Sequence, residues 1–142
     1  MISDAYASGV PMGGDLMPSR SKSFPKFLMH AAKDPEGLNI ESIQLVKGWI
    51  DEEGNMNTKV IPVLSEMGGA ESLCKVYTDT EFENSLPSYY YMRAVEPESP
   101  RWHTYDCERL SEDDRPAVCT NQTYPSFIRE MAWTSPIWYR PE

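Results

Sequence analysis

Histidine and basic residues are the scarce ingredients of this 142-residue chain, which has two histidines, and 13 Lys and Arg against 22 Asp and Glu, for a formal net charge of −9. A hydrolytic metal centre needs three or more protein ligands per ion plus an open position for water, so His30 and His103, far apart in sequence, cannot furnish a multinuclear site. The acidic balance repels nucleic-acid phosphate and anionic lipid, and no segment gathers the cations into a basic face, which argues against a nucleic-acid partner. No apolar run approaches the roughly 20 residues that cross a bilayer, and the N-terminus lacks the basic-then-apolar layout of a signal peptide. Read alone, the chain is expected to be soluble, with no membrane insertion.

Catalytic signatures are equally wanting. There is no Gly-x-Ser-x-Gly elbow and no nucleophile, base and orienting acid recognisable as a set. Gly13-Gly14-Asp15 and Met67-Gly68-Gly69 lack the Lys-Ser/Thr of a phosphate-cradling loop and do not complete Gly-x-Gly-x-x-Gly, so both read as turns. Asp51, Glu52, Glu53 and Asn55 miss the calcium-loop spacing and read as a solvated hairpin tip. Glu112-Asp113-Asp114 reads as a solvated loop face. Asn121-Gln122-Thr123 matches a glycosylation acceptor, a pattern common by chance. No catalytic residue, metal ligand or cofactor is therefore assigned to this chain.

Three cysteines fit neither a zinc ribbon nor a Cys-x-x-Cys redox pair. Cys107 and Cys119 flank a polar segment that a disulfide would close without difficulty in an oxidising compartment, with three ordinary thiols as the alternative. Cys74, between Leu73 and Val76, is expected to be a buried, inert thiol.

What is present is strand signal. A hydrophobic fraction of 40% with 12 prolines and 8 glycines favours a folded chain of short elements with many turns over a helical bundle. Residues 27–32 could start a helix, but Pro25 in front and Asp34-Pro35 behind leave space only for a short element, and residues 24–33 are read as a strand. Residues 43–51 alternate Ile43, Leu45, Lys47, Trp49 against Gln44, Val46, Gly48, Ile50, and residues 59–64 return as the second arm of a hairpin. After a loop at residues 67–70, residues 72–78 form another short strand, and an acidic, turn-rich stretch at residues 79–87 leads into the clearest strand, residues 88–96. There Tyr90, Met92 and Ala94 share one face, and Tyr91, Arg93 and Val95 the other. Tyr90 is the candidate for a hydroxyl that bonds back to a neighbouring corner, as in immunoglobulin-like sandwiches, with a plain core tyrosine as the alternative. Residues 97–130 interrupt the expected final hairpin as a long charged insertion. The chain then closes with Met131-Ala132-Trp133 and Ile137-Trp138-Tyr139, where Pro136 implies an edge strand or a bulge. The expected fold is all-β: an immunoglobulin/fibronectin-like β-sandwich over residues 24–142, an irregular N-terminal arm over residues 1–23, and the insertion before the last strand.

One cluster carries ligand-binding chemistry. Arg101, Trp102, Tyr105, Trp133 and Trp138 combine ring faces with guanidinium forks, which suits a sugar ring or an anion, or glues the insertion to the sandwich.

The stretches Gly9-Val10-Pro11-Met12-Gly13-Gly14-Asp15-Leu16, Lys33-Asp34-Pro35, Ile43-Gln44-Leu45-Val46-Lys47-Gly48-Trp49-Ile50-Asp51, Tyr89 through Glu96 into Pro100-Arg101-Trp102, and Glu130 to Tyr139 occur in the same order as in a bacterial family. They resemble the C-terminal part of the long proteins known as domain of unknown function 3604. The longer members look like relatives of the polymerase-and-histidinol-phosphatase metallohydrolases, with metal ligands upstream of the segment seen here. The resemblance implies a non-catalytic accessory sandwich whose partner is an upstream catalytic domain, in the same protein or as a separate chain. Met12, Gly13, Gly14 and Asp15 would lie in an interdomain strap, and the Arg101 to Tyr105 loop would reach the neighbour's rim. The parent would be a metal-dependent hydrolase acting on phosphoesters, periplasmic or secreted if it carries a signal peptide. The alternative is an independent carbohydrate- or anion-binding module using the Trp/Tyr/Arg cluster.

Overall fold

The computed structural model of the chain describes residues 2–18, 23–121 and 123–141. Residues 19–22 of the expected arm and Gln122 of the glycosylation pattern lie outside them. The chain is mostly strand: β1 (Asp15–Leu16), β2 (Lys26–Ala32), β3 (Ile40–Ile50), β4 (Met56–Ala70), β5 (Ser72–Thr78), β6 (Ser88–Pro100), β7 (Phe127–Trp133) and β8 (Ile137–Tyr139). Helices α1 (Ile2–Ser8) and α2 (Trp102–Arg109) and two 3-10 turns (Glu112–Asp114 and Ala117–Cys119) complete it.

The strands form two sheets in a sandwich-like arrangement. The larger has the order β1-β8-β6-β3-β4, with β7 continuing the line of β8 along β6, and the smaller is the β2–β5 pair. Between them lies the core: Phe27 and Met29 of β2, Leu73 of β5, Ile40, Ile43 and Leu45 of β3, Ile61 of β4 and Tyr90 of β6. Period-two alternation puts these residues on one side, apart from Ile40, which an irregularity in β3 between Ile40 and Ser42 brings there, and the Phe27 ring packs on Tyr90 at 4.5 Å between centroids.

One ion pair lies inside this core. Lys47 follows Leu45 on the inner face of β3, and its ammonium donates to Asp79 Oδ2 at 2.6 Å and to the Glu81 carbonyl at 2.8 Å. The Tyr90 hydroxyl donates to the same Asp79 oxygen at 2.8 Å, and the Glu81 amide donates to Oδ1 at 3.0 Å. Asp79 is 1% exposed. Every oxygen of this buried carboxylate is thus matched, as such burial requires. Burial first, and then the bond to Asp79, hold the Tyr90 phenol well above its ordinary range. Tyr90 does bond back to the connection ahead of its strand, but to a side-chain carboxylate. Tyr139 makes the bond to a main-chain carbonyl, donating to Asn84 at 2.7 Å.

Several expectations are corrected. The hairpin arm expected at residues 59–64 runs from Met56 to Ala70, because Gly68 and Gly69, at φ of 82° and 71°, make a bulge inside β4 where the sequence suggested a loop. β6 continues through Pro97 to Pro100. Beyond Val95 it pairs only with β7, so its other side is an edge on which proline deletes no ladder bond. The insertion accordingly narrows to residues 101–126, and it contains α2. The N-terminal arm is not wholly irregular, since α1 and β1 lie within it. β8 is not an edge: β1 pairs with it in parallel, while Thr134, Ser135 and Pro136 break the line between β7 and β8. Cys74 is exposed, because it shares its strand phase with Val76 and not with the buried Leu73.

Candidate functional site

The second face of the large sheet carries side chains that a solvated face would not. Opposite the core set, β6 presents Tyr89, Tyr91, Arg93 and Val95, and the register aligns these with Gly48, Val46, Gln44 and Ser42 of β3. β8 adds Trp138 beside Tyr89; β7 adds Trp133 beside Arg93 and Met131 beside Val95. On the far side β4 contributes Thr58, Val60 and Pro62. The smaller sheet packs on the other side, and Trp133 is 61% exposed, Trp138 41% and Val60 47%.

The rings are held in place. A Cβ on Gly48 would stand 2.3 Å from two ring atoms of Tyr89, so the missing side chain is what lets that ring lie across β3. Trp138 packs on Tyr89 at 5.5 Å between centroids, and the Tyr91 ring runs parallel to Tyr89 at 6.3 Å. Arg93 sits at the end of this row, where its Nε donates to Gln44 Oε1 at 2.8 Å and its Nη2 bonds the same oxygen. Beyond it, Glu41, Ser42, Gln44, Glu66, Met67, Arg129 and Met131 surround an open hollow of about 470 Å³, bridged by the Arg129–Glu41 ion pair.

The five residues expected to cluster are divided between two regions. Trp133 and Trp138 belong to this face. Arg101 follows β6 at the other end of the β6–β7 ribbon, eight residues beyond the partner of Trp133, or roughly 25 Å along an extended strand. Trp102 and Tyr105 on α2 are exposed there, with Trp102 against the buried His103 at 5.7 Å, and Arg101 Nε is buried without a partner among the described residues. Cys107 and Cys119 are joined in a disulfide with Cα atoms 5.6 Å apart, which ties α2 to the second 3-10 turn. Thr104 Oγ1 donates to the Ser126 carbonyl at 2.8 Å, which fastens the helix to the start of β7.

Of the expected strap, Gly13 and Gly14 form the turn ahead of β1 and bond to the chain at β8. The Gly13 amide donates to the Pro136 carbonyl and the Trp138 amide to the Gly14 carbonyl, each at 3.0 Å, and Asp15 pairs with Trp138 in register. Met12 stays exposed. The Asp51 carboxylate accepts from the Asn55 amide at 2.7 Å and from Asn57 Nδ2 at 3.0 Å, bonds that hold it below the ordinary carboxylate range and close a hairpin turn. His30 lies exposed on β2 opposite Cys74, and among the described residues no three His, Cys, Asp or Glu side chains gather closely enough to hold a metal.

Tyr89, Tyr91, Arg93 and Gln44 were not singled out as site residues from the sequence. Their signal was the strand 88–95 itself, which has aromatics on both phases: a strand that faces a core on one side and water on the other alternates apolar with polar.

No curated protein and no solved structure matches the chain significantly. A family model does, over residues 1–68 and 62–141, which together leave out only the last residue. The chain belongs to the family described as protein of unknown function (DUF3604).

Proposed function

We propose that this chain is a non-catalytic accessory β-sandwich of a larger metal-dependent hydrolase-like protein, and that it packs on the catalytic portion through the outer face of its six-stranded sheet. One observation carries the reading: Trp133, Trp138, Tyr89, Tyr91, Val60 and Met131 share a face on which Val46 and Val95 are already buried by their neighbours while Trp133, Trp138 and Val60 stand exposed. The four central ribbons present on the order of 500 Å² in projection, judged from strand spacing and rise. That is commensurate with the roughly 800 Å² per partner of a standard interface, and a patch of this kind on a monomer usually marks a contact. The Cys107–Cys119 disulfide supports an oxidising, periplasmic or secreted setting for the parent.

The test is reconstitution. The 142-residue chain and the catalytic region of a longer member of the family, produced as separate chains, should elute as a 1:1 complex in size exclusion with light scattering. The Trp133→Ala/Trp138→Ala pair should abolish it. Turnover of a phosphoester by the 142-residue chain alone, lost on changing one of its own side chains, would sink the accessory reading.

A free-standing sugar- or anion-binding module is the second reading, favoured by the exposed Trp133 and Trp138 with Arg93 on the same face. It requires saturable binding of a soluble glycan by the isolated chain, accompanied by a rise in Tm.

A further inference from the structure

The outer face has a charge built into it. In register, Arg93 lies between Gln44 on β3 and Trp133 on β7, with Tyr91 and Val95 before and after it on the same side of β6. Its guanidinium makes two bonds, both to one neutral amide oxygen of Gln44. Among the described residues no carboxylate pairs with it, although the chain carries 22 acids against 13 basic residues. Arg129, on the same face of β7, does pair with a carboxylate, that of Glu41.

A purely apolar surface laid over this face would strip water from Arg93 and offer nothing to its remaining donors. Burying a guanidinium without a counter-charge costs more than the surrounding apolar burial can offset. A planar fork whose Nε and Nη2 are held by Gln44 has further N–H donors left, which suit a carboxylate. A second copy of the chain is a poorer occupant, because two chains of charge −9 repel each other.

Resting on the docking reading above, we propose that the protein surface covering this sheet is apolar with one Asp or Glu side chain near its centre, and that Arg93 receives it between Trp133 and Tyr91. Trp133 and Trp138 supply the apolar anchorage, and Arg93 sets register and selects the partner.

The experiment is calorimetric titration of the catalytic region of a longer family member into the 142-residue chain, at low and high salt. Arg93→Gln should weaken Kd by about 30-fold or more and flatten its salt dependence, with Tm unchanged, and Arg93→Lys should recover only part of the loss. Arg93→Gln binding like wild type while Trp133→Ala fails would overturn the carboxylate and leave the docking reading standing. No complex with the wild-type chain would overturn both. A dimer of the chain alone that Trp133→Ala dissociates would make a second copy the occupant and refute the proposal. So would binding of polygalacturonate, followed by tryptophan emission and lost in Trp133→Ala, which would assign the face to an acidic glycan.

Discussion

The two faces of the large sheet use the same strands and nearly the same residue types, yet they treat a basic side chain in opposite ways. On the inner face Lys47 is surrounded by its own counter-charge, with Asp79, Tyr90 and the Glu81 carbonyl closing around the ammonium. On the outer face Arg93 has only a neutral amide behind it, and its rings, unlike those of the core, are left partly in water. The inner face satisfies its buried charges from within the chain; under the docking proposal the outer face takes that satisfaction from a partner. Substitutions on the inner face should therefore cost stability, and those on the outer face should cost association.

The largest effect is expected from Asp79→Ala. It strands the Lys47 ammonium and the Tyr90 hydroxyl in the core, and breaking one partner of a buried pair costs about 3–5 kcal/mol. Urea unfolding of this variant against wild type measures it. A loss under 1 kcal/mol would mean that the inner network is solvated and that the contrast between the faces is false. Lys47→Met together with Asp79→Leu should recover much of the loss, since well-packed apolar pairs replace buried ion pairs at little cost.

Tyr90→Phe should cost about 2 kcal/mol, the scale of a hydrogen bond to a charged group, because Asp79 keeps Lys47 and the Glu81 amide. It also carries a pH signature. The phenol is raised above its ordinary value of 10.0 by burial and by Asp79, so the native state favours its neutral form. That stability is fully present below pH 10, where the unfolded tyrosine is also neutral, and it falls as pH rises further and only the unfolded chain ionises. Wild type should lose stability more steeply than Tyr90→Phe above pH 10 in equilibrium unfolding. Parallel curves would show that Tyr90 is not linked to alkaline unfolding.

The contrast between the faces was half legible in the sequence. Alternation located β3 and β6 within a few residues and placed Ile43, Leu45 and Lys47 on one side, because period-two burial is written directly into residue order, while bounding prolines and short apolar runs located β2, β5 and β8. It could not show that Lys47 meets Asp79, a contact across 32 positions made by a loop whose acidity reads as solvation. Gly48 carried no visible meaning until Tyr89 was seen lying across it. Helix α2 has no side-chain cap and little amphipathic pattern, and a disulfide together with Thr104 fastens it, so its local sequence reads as loop. Grouping Arg101, Trp102 and Tyr105 with Trp133 and Trp138 failed for a related reason: nearness along an aromatic-rich tail is not nearness across a β-ribbon that spans the insertion.

Gly48→Ala is a sharper probe of the outer face, with an expected cost of about 1 kcal/mol. Alanine lowers the entropy lost by a strand glycine, a gain of roughly 0.5–1 kcal/mol, but its Cβ evicts the end of the Tyr89 ring, which then loses Gly48 and loosens from Trp138 and Tyr91. The fold should survive, and under the docking proposal the affinity for the proposed partner region should fall with the lost ring alignment. Unchanged affinity in the same titration would show that Tyr89 is not part of the docking surface.

The smallest stability effect belongs to the residue expected to matter most for association. Trp133 is 61% exposed on the isolated chain and has no ring contact among the described residues, so Trp133→Ala should change unfolding free energy by no more than about 0.5 kcal/mol, as for surface positions generally. A buried aromatic of the same size would cost about 3–5 kcal/mol when truncated. The distance between those figures measures whether the outer face is finished by the chain itself or by a partner. A large loss in the isolated chain would mean that Trp133 is already packed in solution, and the outer face would then be a second core.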